Sequence, residues 1–413
     1  MKSCLNHVRL VAPDFTAVPT VILVATVSEL RRWLSVCWVV GAFTVLAGVL
    51  SARAGFGDRI TISGTEFRAG ADRIWINGAN TPWHNWNDFG GKFDPVWWDK
   101  HFQQLHENGI NATRVWISCN GEVGINISAT GYVSGCTPKF WSDLDNLFRI
   151  AQARQVYVMA TLLSFDHFST GHTNCQRWRN MITDTTNIDS LVANYVVPFV
   201  NRYKSNPWLW SIDLCNEPDW VHENANCGKL PWQPLQTYFG RAAAAIHANS
   251  DILVTAGICM GPKYLSDTRA TNVLGDRALQ ALAGGDSRAH IDFYAPHYYD
   301  WMSAINPGNA FNMRPVAYGL PGNRPVIFGE FPSKGTAHHH PEENYESACQ
   351  NGWQGAMGWT SNGVDTNGDL TVLGVATRAF RDRHPGLVFP EAKASTIAPG
   401  SISAPLPGDI SKP

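Results

Sequence analysis

From Arg73-Ile74-Trp75-Ile76-Asn77-Gly78 onward, short apolar runs alternate with segments of helical periodicity almost to the end of the chain. Strand-like runs fall at Ala112 to Ser118, Val156 to Leu163, Leu209 to Asn216, Ile252 to Ala256, Phe293 to His297, Pro325 to Glu330 and Gly355 to Thr360. Between them, apolar residues recur at helical spacing, as in Trp98, Phe102 and Leu105, or Phe140, Leu144, Leu147, Phe148 and Ala151. A helix expected over Asp189 to Tyr203 carries Pro198, which should kink it. Eight strand-helix pairs predict an α/β chain folded as a (β/α)8 TIM barrel. Arg59 to Ser63 with the turn at Gly64 adds a short N-terminal hairpin, expected under the floor of the barrel. Long connections after several strands predict extended loops at its C-terminal face.

The two ends read differently. Arg31-Arg32, the apolar run Trp33 to Leu50 and the sequence Ser51-Ala52-Arg53-Ala54 have the order of an export signal, giving a signal peptide with a long N-terminal region over 1–54. Residues 55–388 are then the barrel domain, and 389–413, rich in Pro, Ser, Ala and Gly, a tail. Cleavage after Ala54 predicts a secreted protein with no stable membrane association. An uncleaved segment would instead anchor it.

Export makes disulfides admissible. The mature chain keeps Cys119, Cys136, Cys175, Cys215, Cys227, Cys259 and Cys349, an odd set, with Cys119–Cys136 and Cys175–Cys227 as the expected pairs. The near-balance of 32 basic and 34 acidic side chains gives no footprint for nucleic acid. Neither a C-x-x-C nor an H-E-x-x-H spacing occurs, so no metal and no cofactor is expected. Asp365-Thr366-Asn367-Gly368-Asp369 has part of a calcium loop but lacks its remaining ligands and reads as a turn. The 17 tryptophans exceed what packing requires and suit stacking on the apolar faces of sugar rings.

In such barrels, reacting groups sit where strands end. Strand four ends in Asn216-Glu217-Pro218, strand six in His297-Tyr298-Tyr299 and strand seven in Val326-Ile327-Phe328-Gly329-Glu330. Arg114 lies on strand two and Trp359 on strand eight. This constellation resembles the clan A glycoside hydrolases, and most closely glycoside hydrolase family five, the cellulase and mannanase group, over residues 73–385.

The resemblance implies that Glu217 is the general acid/base and Glu330 the nucleophile of a retaining double displacement, with the carboxyls about 5 Å apart. Arg114 and Tyr299 would lie beside Glu330 and lower its pKa, while the negative neighbour raises that of Glu217. Asn216 would bind the sugar 2-hydroxyl, and Trp359 would floor the subsite at the cleaved bond. His167 falls near the family's histidine after strand three. Strand parity places Arg114 with Trp116, His297 with Tyr299, and Glu330 with Phe328 on the inward side. The loop residues Trp83, His84, Trp86, Trp220 and Trp301 are candidates for further subsites.

The expected function is therefore hydrolysis of a β-linked polysaccharide or oligosaccharide by a monomer, of endo-β-1,4-mannanase or β-1,4-glucanase type. An exo-acting β-glycosidase on the same barrel is the alternative within the class. A non-catalytic carbohydrate-binding protein is the alternative outside it, although such a protein has no use for both glutamates with Arg114 and Tyr299.

Overall fold

A computed structural model describes residues 55–390, apart from 269–271, 307 and 338. The expected signal over 1–54, with Cys4 and Cys37, lies outside the described residues, as do His338 and all but the start of the expected tail.

The N-terminal element is an antiparallel sheet of three strands, β1 (Ile60–Ser63), β2 (Glu66–Ala69) and β3 (Asp72–Ile74). β3 takes up the start of the run read as the first barrel strand, and that strand proper is β4 (Ile76–Asn80). Phe67 of β2 is fully buried, with its ring 5.5 Å from that of Trp210 and 5.3 Å from that of Phe293. Both partners lie where barrel strands begin, so the small sheet plugs the floor with apolar surface.

Seven barrel strands form one parallel sheet. In spatial order they are β10 (Leu253–Gly257), β9 (Leu209–Asn216), β8 (Tyr157–Thr161), β5 (Ala112–Trp116), β4, β12 (Gly355–Trp359) and β11 (Phe328–Pro332). Every residue in these strands is buried, as expected of a parallel sheet covered on both faces. The eighth member, expected at Phe293 to His297, is held by isolated bridges. Asp292 and His297 donate backbone N–H to Val254 and Ile258 on one side, while Tyr294 and Tyr298 donate to Pro325 and Glu330 on the other. These bonds close the barrel.

Amphipathic helices surround it, among them Pro95–Glu107, Pro138–Arg154, Trp232–Asn249, Pro341–Gln350 and Leu370–Arg383. Asp94 and Thr137 cap the first two by accepting backbone N–H bonds, with proline in the first turn of each. The helix expected to kink at Pro198 is interrupted there: Thr185–Leu191 passes through a wide turn at Val192–Val196 into Val197–Tyr203. Proline has no N–H to continue the regular ladder.

Two expectations are corrected. β11 shifts register between Phe328 and Phe331, so Phe328 leaves the inward row and packs in the outer layer, 3.7 Å from the Trp353 ring and 4.0 Å from that of Phe311. Neither expected disulfide is formed, since all seven cysteines among the described residues are free. Cys119 belongs to an aromatic cluster with Trp116 and Trp359, whereas Cys136 sits on β7 (Val133–Cys136), paired with β6 (Ile125–Ile127), against the main core. Cys175 opens a helix, and Cys227 is buried in a turn.

The folded body runs slightly beyond the expected boundary at 388. Phe389 packs on Phe56 with ring centroids 4.8 Å apart, and Phe56 donates its N–H to the Pro390 carbonyl at 3.1 Å. Among the described residues no helix is long and apolar enough to cross a membrane.

Candidate active site

β9 runs buried from Leu209 to Asn216 and then breaks sharply. Glu217 adopts φ 47° and ψ 52°, the left-handed region that non-glycine residues rarely occupy, and Pro218 starts a short helix over Pro218–Glu223. Such a conformation costs on the order of 1–3 kcal/mol and persists only where the surroundings enforce it. The Glu217 N–H, donating to the Gly257 carbonyl at 2.7 Å, is part of that enforcement. The turn aims the carboxyl across the barrel mouth instead of along the strand.

Opposite lies Glu330. Its Oε1 accepts from Arg114 Nη1 at 2.6 Å, and its Oε2 accepts from the Tyr299 hydroxyl at 2.9 Å. Arg114 is fully buried and spends its other donors on Asp213 (2.9 and 2.7 Å), Asn216 (2.8 Å) and Asn80 (3.2 Å). Asp213 in turn accepts from the backbone of Gly257 and Cys215 and from the Thr161 hydroxyl. A buried cation is tolerable only when its donors are paired this completely.

His297 joins the two glutamates. Its Nδ1 is 2.9 Å from Glu217 Oε1 and 3.4 Å from Glu330 Oε2. Carboxylate oxygens of the two glutamates and the imidazole nitrogen all lie within 4.8 Å of one another. Burial drives the imidazole pKa down to about 4, so the ring is neutral at neutral pH. We assign the proton to Nδ1, where it is donated to Glu217, because Nε2 is buried with no partner among the described residues and a bare lone pair is the cheaper orphan there. The ring fits because two neighbours lack side chains. A Cβ on Gly257 would come within 2.9 Å of Nε2, and one on Gly329 within 3.0 Å of the ring.

Burial also moves the carboxyls. Glu217 is raised to about 7, with burial the main cause, partly opposed by Cys259 and Arg114. Glu330 was expected to be lowered, but burial raises it and the neighbouring Glu217 adds to the effect, while His297 and Arg114 pull the other way. Two adjacent carboxyls that both resist ionisation hold one proton between them. Of the two glutamates, only Glu330 accepts hydrogen bonds from Arg114 and Tyr299, which favours its ionised form and leaves the proton to Glu217. Asp219, in the first turn of the helix, is likewise raised to about 7 by burial and then by Glu217; it accepts the backbone N–H groups of Cys259 and Met260 at 3.0 and 2.8 Å.

The glutamates open into a cavity of about 460 Å³. Its lining includes two groups of touching indoles, Trp83, Trp86, Trp116 and Trp359 in one, and Trp220 and Trp301, with rings 6.2 Å apart, in the other. Trp359 sits 5.2 Å from the Trp116 ring and donates its indole N–H to Asp365 at 3.1 Å, so the segment with a partial calcium-loop pattern is a turn that orients a tryptophan. Of the expected site residues, Asn216, Tyr299, Trp83, Trp86, Trp116, Trp301 and Trp359 line this space with both glutamates. Arg114 and His297 lie beneath it. His84 points elsewhere, stacked on Trp97 at 4.1 Å. His167 is buried, 2.9 Å from the Ser118 hydroxyl. The sequence reading did not single out Asp213, Asp219, Phe165, Asp166 or Asn367. A charged residue inside the apolar run Leu209 to Cys215 was itself a signal for Asp213, since a buried carboxylate requires a partner.

No family model matches the chain. It is 27% identical over 327 residues to a mannan endo-1,4-beta-mannosidase of Cryptopygus antarcticus, covering 73% of this chain and 84% of that protein. It is 26% identical over 358 residues to a mannan endo-1,4-beta-mannosidase of Mytilus edulis, covering 79% and 94%. Its fold superposes on the beta-1,4-mannanase of the sea hare Aplysia kurodai with a TM-score of 0.71 at 22% identity, over 81% of this chain and all of that one. Two opposed glutamates at the mouth of a (β/α)8 barrel, in a chain with these relatives, make it a glycoside hydrolase that resembles the family-five enzymes of clan A.

Proposed function

We propose that the chain is an endo-acting β-1,4-mannanase working by retention. The observation that carries this reading is the pair of carboxylates meeting at one imidazole nitrogen. Their oxygens lie within 4.8 Å, a spacing suited to covalent attack and short of the roughly 6.5–9.5 Å that leaves room for an attacking water.

In the first step a Glu330 oxygen forms a bond to the anomeric carbon as the glycosidic C–O bond breaks. The proton on Glu217 passes to the departing oxygen. Arg114 and Tyr299 hold the Glu330 carboxylate in place for the attack, and His297 fixes the rotamer of Glu217. Water then enters, Glu217 takes its proton, and the resulting hydroxide displaces the Glu330 ester from the sugar, restoring both groups. Asn216 is placed to bind the hydroxyl next to the anomeric carbon, with Trp359 beneath the ring.

Mannan is favoured as substrate because both sequence relatives are named for it. Six tryptophans lining the cavity beside the glutamates give aromatic surface for several sugar units, which supports endo action. Secretion rests on the N-terminal pattern, and the monomeric state is our reading as well; N-terminal sequencing of exported protein and sedimentation in solution test these two points.

The deciding experiment is a reducing-sugar assay over mannan, cellulose derivatives, xylan, galactan and mixed-linkage glucan, with product sizes followed in time. Mannan should be cleaved fastest, into a spread of oligosaccharides. Preference for glucan would move the chain to the glucanase reading, and release of single sugars from one end to the exo reading. An inverted first-formed anomer in proton NMR would exclude Glu330 as nucleophile.

A further inference from the structure

A second constellation lies at the opposite pole of the barrel. His247 is in the last turn of the Trp232–Asn249 helix, while His290 and Asp292 precede the segment that closes the barrel. One ligand-competent atom from each lies within 4.8 Å of the others. Asp292 is rigidly held, since its Oδ2 accepts the Val254 N–H at 2.7 Å and its own N–H donates back to the Val254 carbonyl.

The histidine tautomers can be read from their outer partners. His247 Nδ1 is 2.8 Å from the Arg288 carbonyl, and His290 Nδ1 is 3.3 Å from the Ser287 carbonyl. A carbonyl can only accept, so both Nδ1 atoms carry their hydrogens. Both Nε2 atoms then face one carboxylate, 2.9 Å from Oδ2 for His247 and 3.5 Å from Oδ1 for His290, and Asp292 raises the His290 pKa, so each position takes either a proton or a metal ion. Lone pairs directed at a carboxylate repel it unless something positive lies between them. Histidines whose Nδ1–H is tied to a backbone carbonyl, with Nε2 free beside a carboxylate, are the arrangement that metal sites use to fix ring orientation. Two imidazoles and a carboxylate suit zinc and its first-row neighbours.

We propose that His247, His290 and Asp292 bind a divalent transition-metal ion that fastens the end of the Trp232–Asn249 helix to the floor of the barrel. The rings are stacked with centroids 4.3 Å apart and planes 17° from parallel, so binding takes a rotation of His290, the more exposed of the two. Arg324, the nearby cation, is already engaged by Asp276 and the Ile291 carbonyl and leaves the carboxylate to the histidines. The ligands are 43 and 2 residues apart in sequence (247 to 290, then 290 to 292), a spacing that no short metal motif covers. The site is remote from the glutamates and does not depend on the mannanase reading.

The test uses the full chain stripped with a chelator and titrated with zinc chloride at pH 7.5, followed by calorimetry and thermal unfolding. Cobalt chloride serves as a coloured probe of coordination. The expected result is uptake of one ion, a rise in Tm, and affinity reduced at least tenfold in both His247→Ala and His290→Ala, with hydrolysis by the stripped protein unchanged. His290→Ala is the safer variant for folding, because its side chain is about one-third exposed. Absence of uptake, an unmoved Tm, or binding that survives both substitutions would overturn the proposal. The last result would place the ion on other histidines, and the first two would leave Asp292 as the carboxylate of a plain ion pair.

Discussion

The mouth and the floor of this barrel are built on opposite principles. At the mouth, Arg114, Asp213, Glu330 and His297 are buried and Glu217 half-buried, and the buried Arg114 is held by ion pairs to both Asp213 and Glu330. At the floor, Phe67 meets Trp210 and Phe293 edge-on with no charge among them, and Phe56 meets Tyr157 and Trp208 in the same way. Apolar packing tolerates the loss of one partner in proportion to the volume removed. A buried charge network leaves the remaining partner stranded in a low dielectric. Chemistry and stability should therefore separate between the two poles, and substitutions at each can show how far.

The largest effect is expected at the glutamates themselves. Glu330→Gln and Glu217→Gln should each lower kcat by about 10³-fold or more on mannan with a folded protein; activity within tenfold of the parent would remove that residue from the reaction. Glu217→Gln should also change the pH dependence of stability. Glu217 titrates at about 7 when folded and near 4.3 when unfolded, so the stability its neutral form contributes is complete below about 4.3 and is lost as pH rises through 7. Glu217→Gln removes that loss, and its Tm relative to the parent should climb between pH 5 and pH 8.

Next is Arg114→Met, which strands both Asp213 and Glu330. A loss of about 3–5 kcal/mol in urea unfolding is expected, together with a fall in kcat. A variant as stable as the parent would mean that the network is not what holds the mouth. Phe67→Ala should cost a comparable 3–5 kcal/mol at the floor while leaving kcat unchanged below its Tm. A parallel fall in kcat would erase the distinction between the poles.

The smallest effect is expected from Asp219→Asn. Asp219 keeps the loop at Cys259 and Met260 in place and repels a negative Glu217. Without its charge Glu217 should ionise more readily, so the alkaline limb of kcat/KM, where the general acid is lost, should move to lower pH. An unmoved limb would limit Asp219 to holding the loop.

Much of the mouth could be read from sequence because barrel chemistry concentrates at strand ends, and Glu217, His297, Tyr299 and Glu330 each follow an apolar run closely enough to be placed. Arg114, inside a strand and not at its end, was readable through the resemblance to the clan A glycoside hydrolases. Asp213 is likewise a charge inside an apolar run, but it lies in mid-strand, away from the strand ends where barrel chemistry concentrates. What periodicity could not convey was irregularity. The register shift in β11 turned Phe328 outward while leaving Glu330 inside, and the closing strand is held by bridges that no local pattern specifies. Loop residues were harder still: Trp83 and Trp86 face the cavity while His84 between them stacks on Trp97, because a loop has no repeating geometry from which to infer a face. The cysteine pairs failed for a similar reason, since neighbouring loops do not imply neighbouring sulfurs.

The clasp between Phe56 and the Phe389-Pro390 pair has a topological consequence. It brings the two ends of the folded body together at the pole facing away from the glutamates, so the body is almost a closed ring of chain. A short linker across that junction, with new termini cut in an exposed loop, should yield a circular permutant with its cleft intact. Cargo fused at residue 55 or 390 would leave from one shared point and clear the path of a long polymer through the mouth.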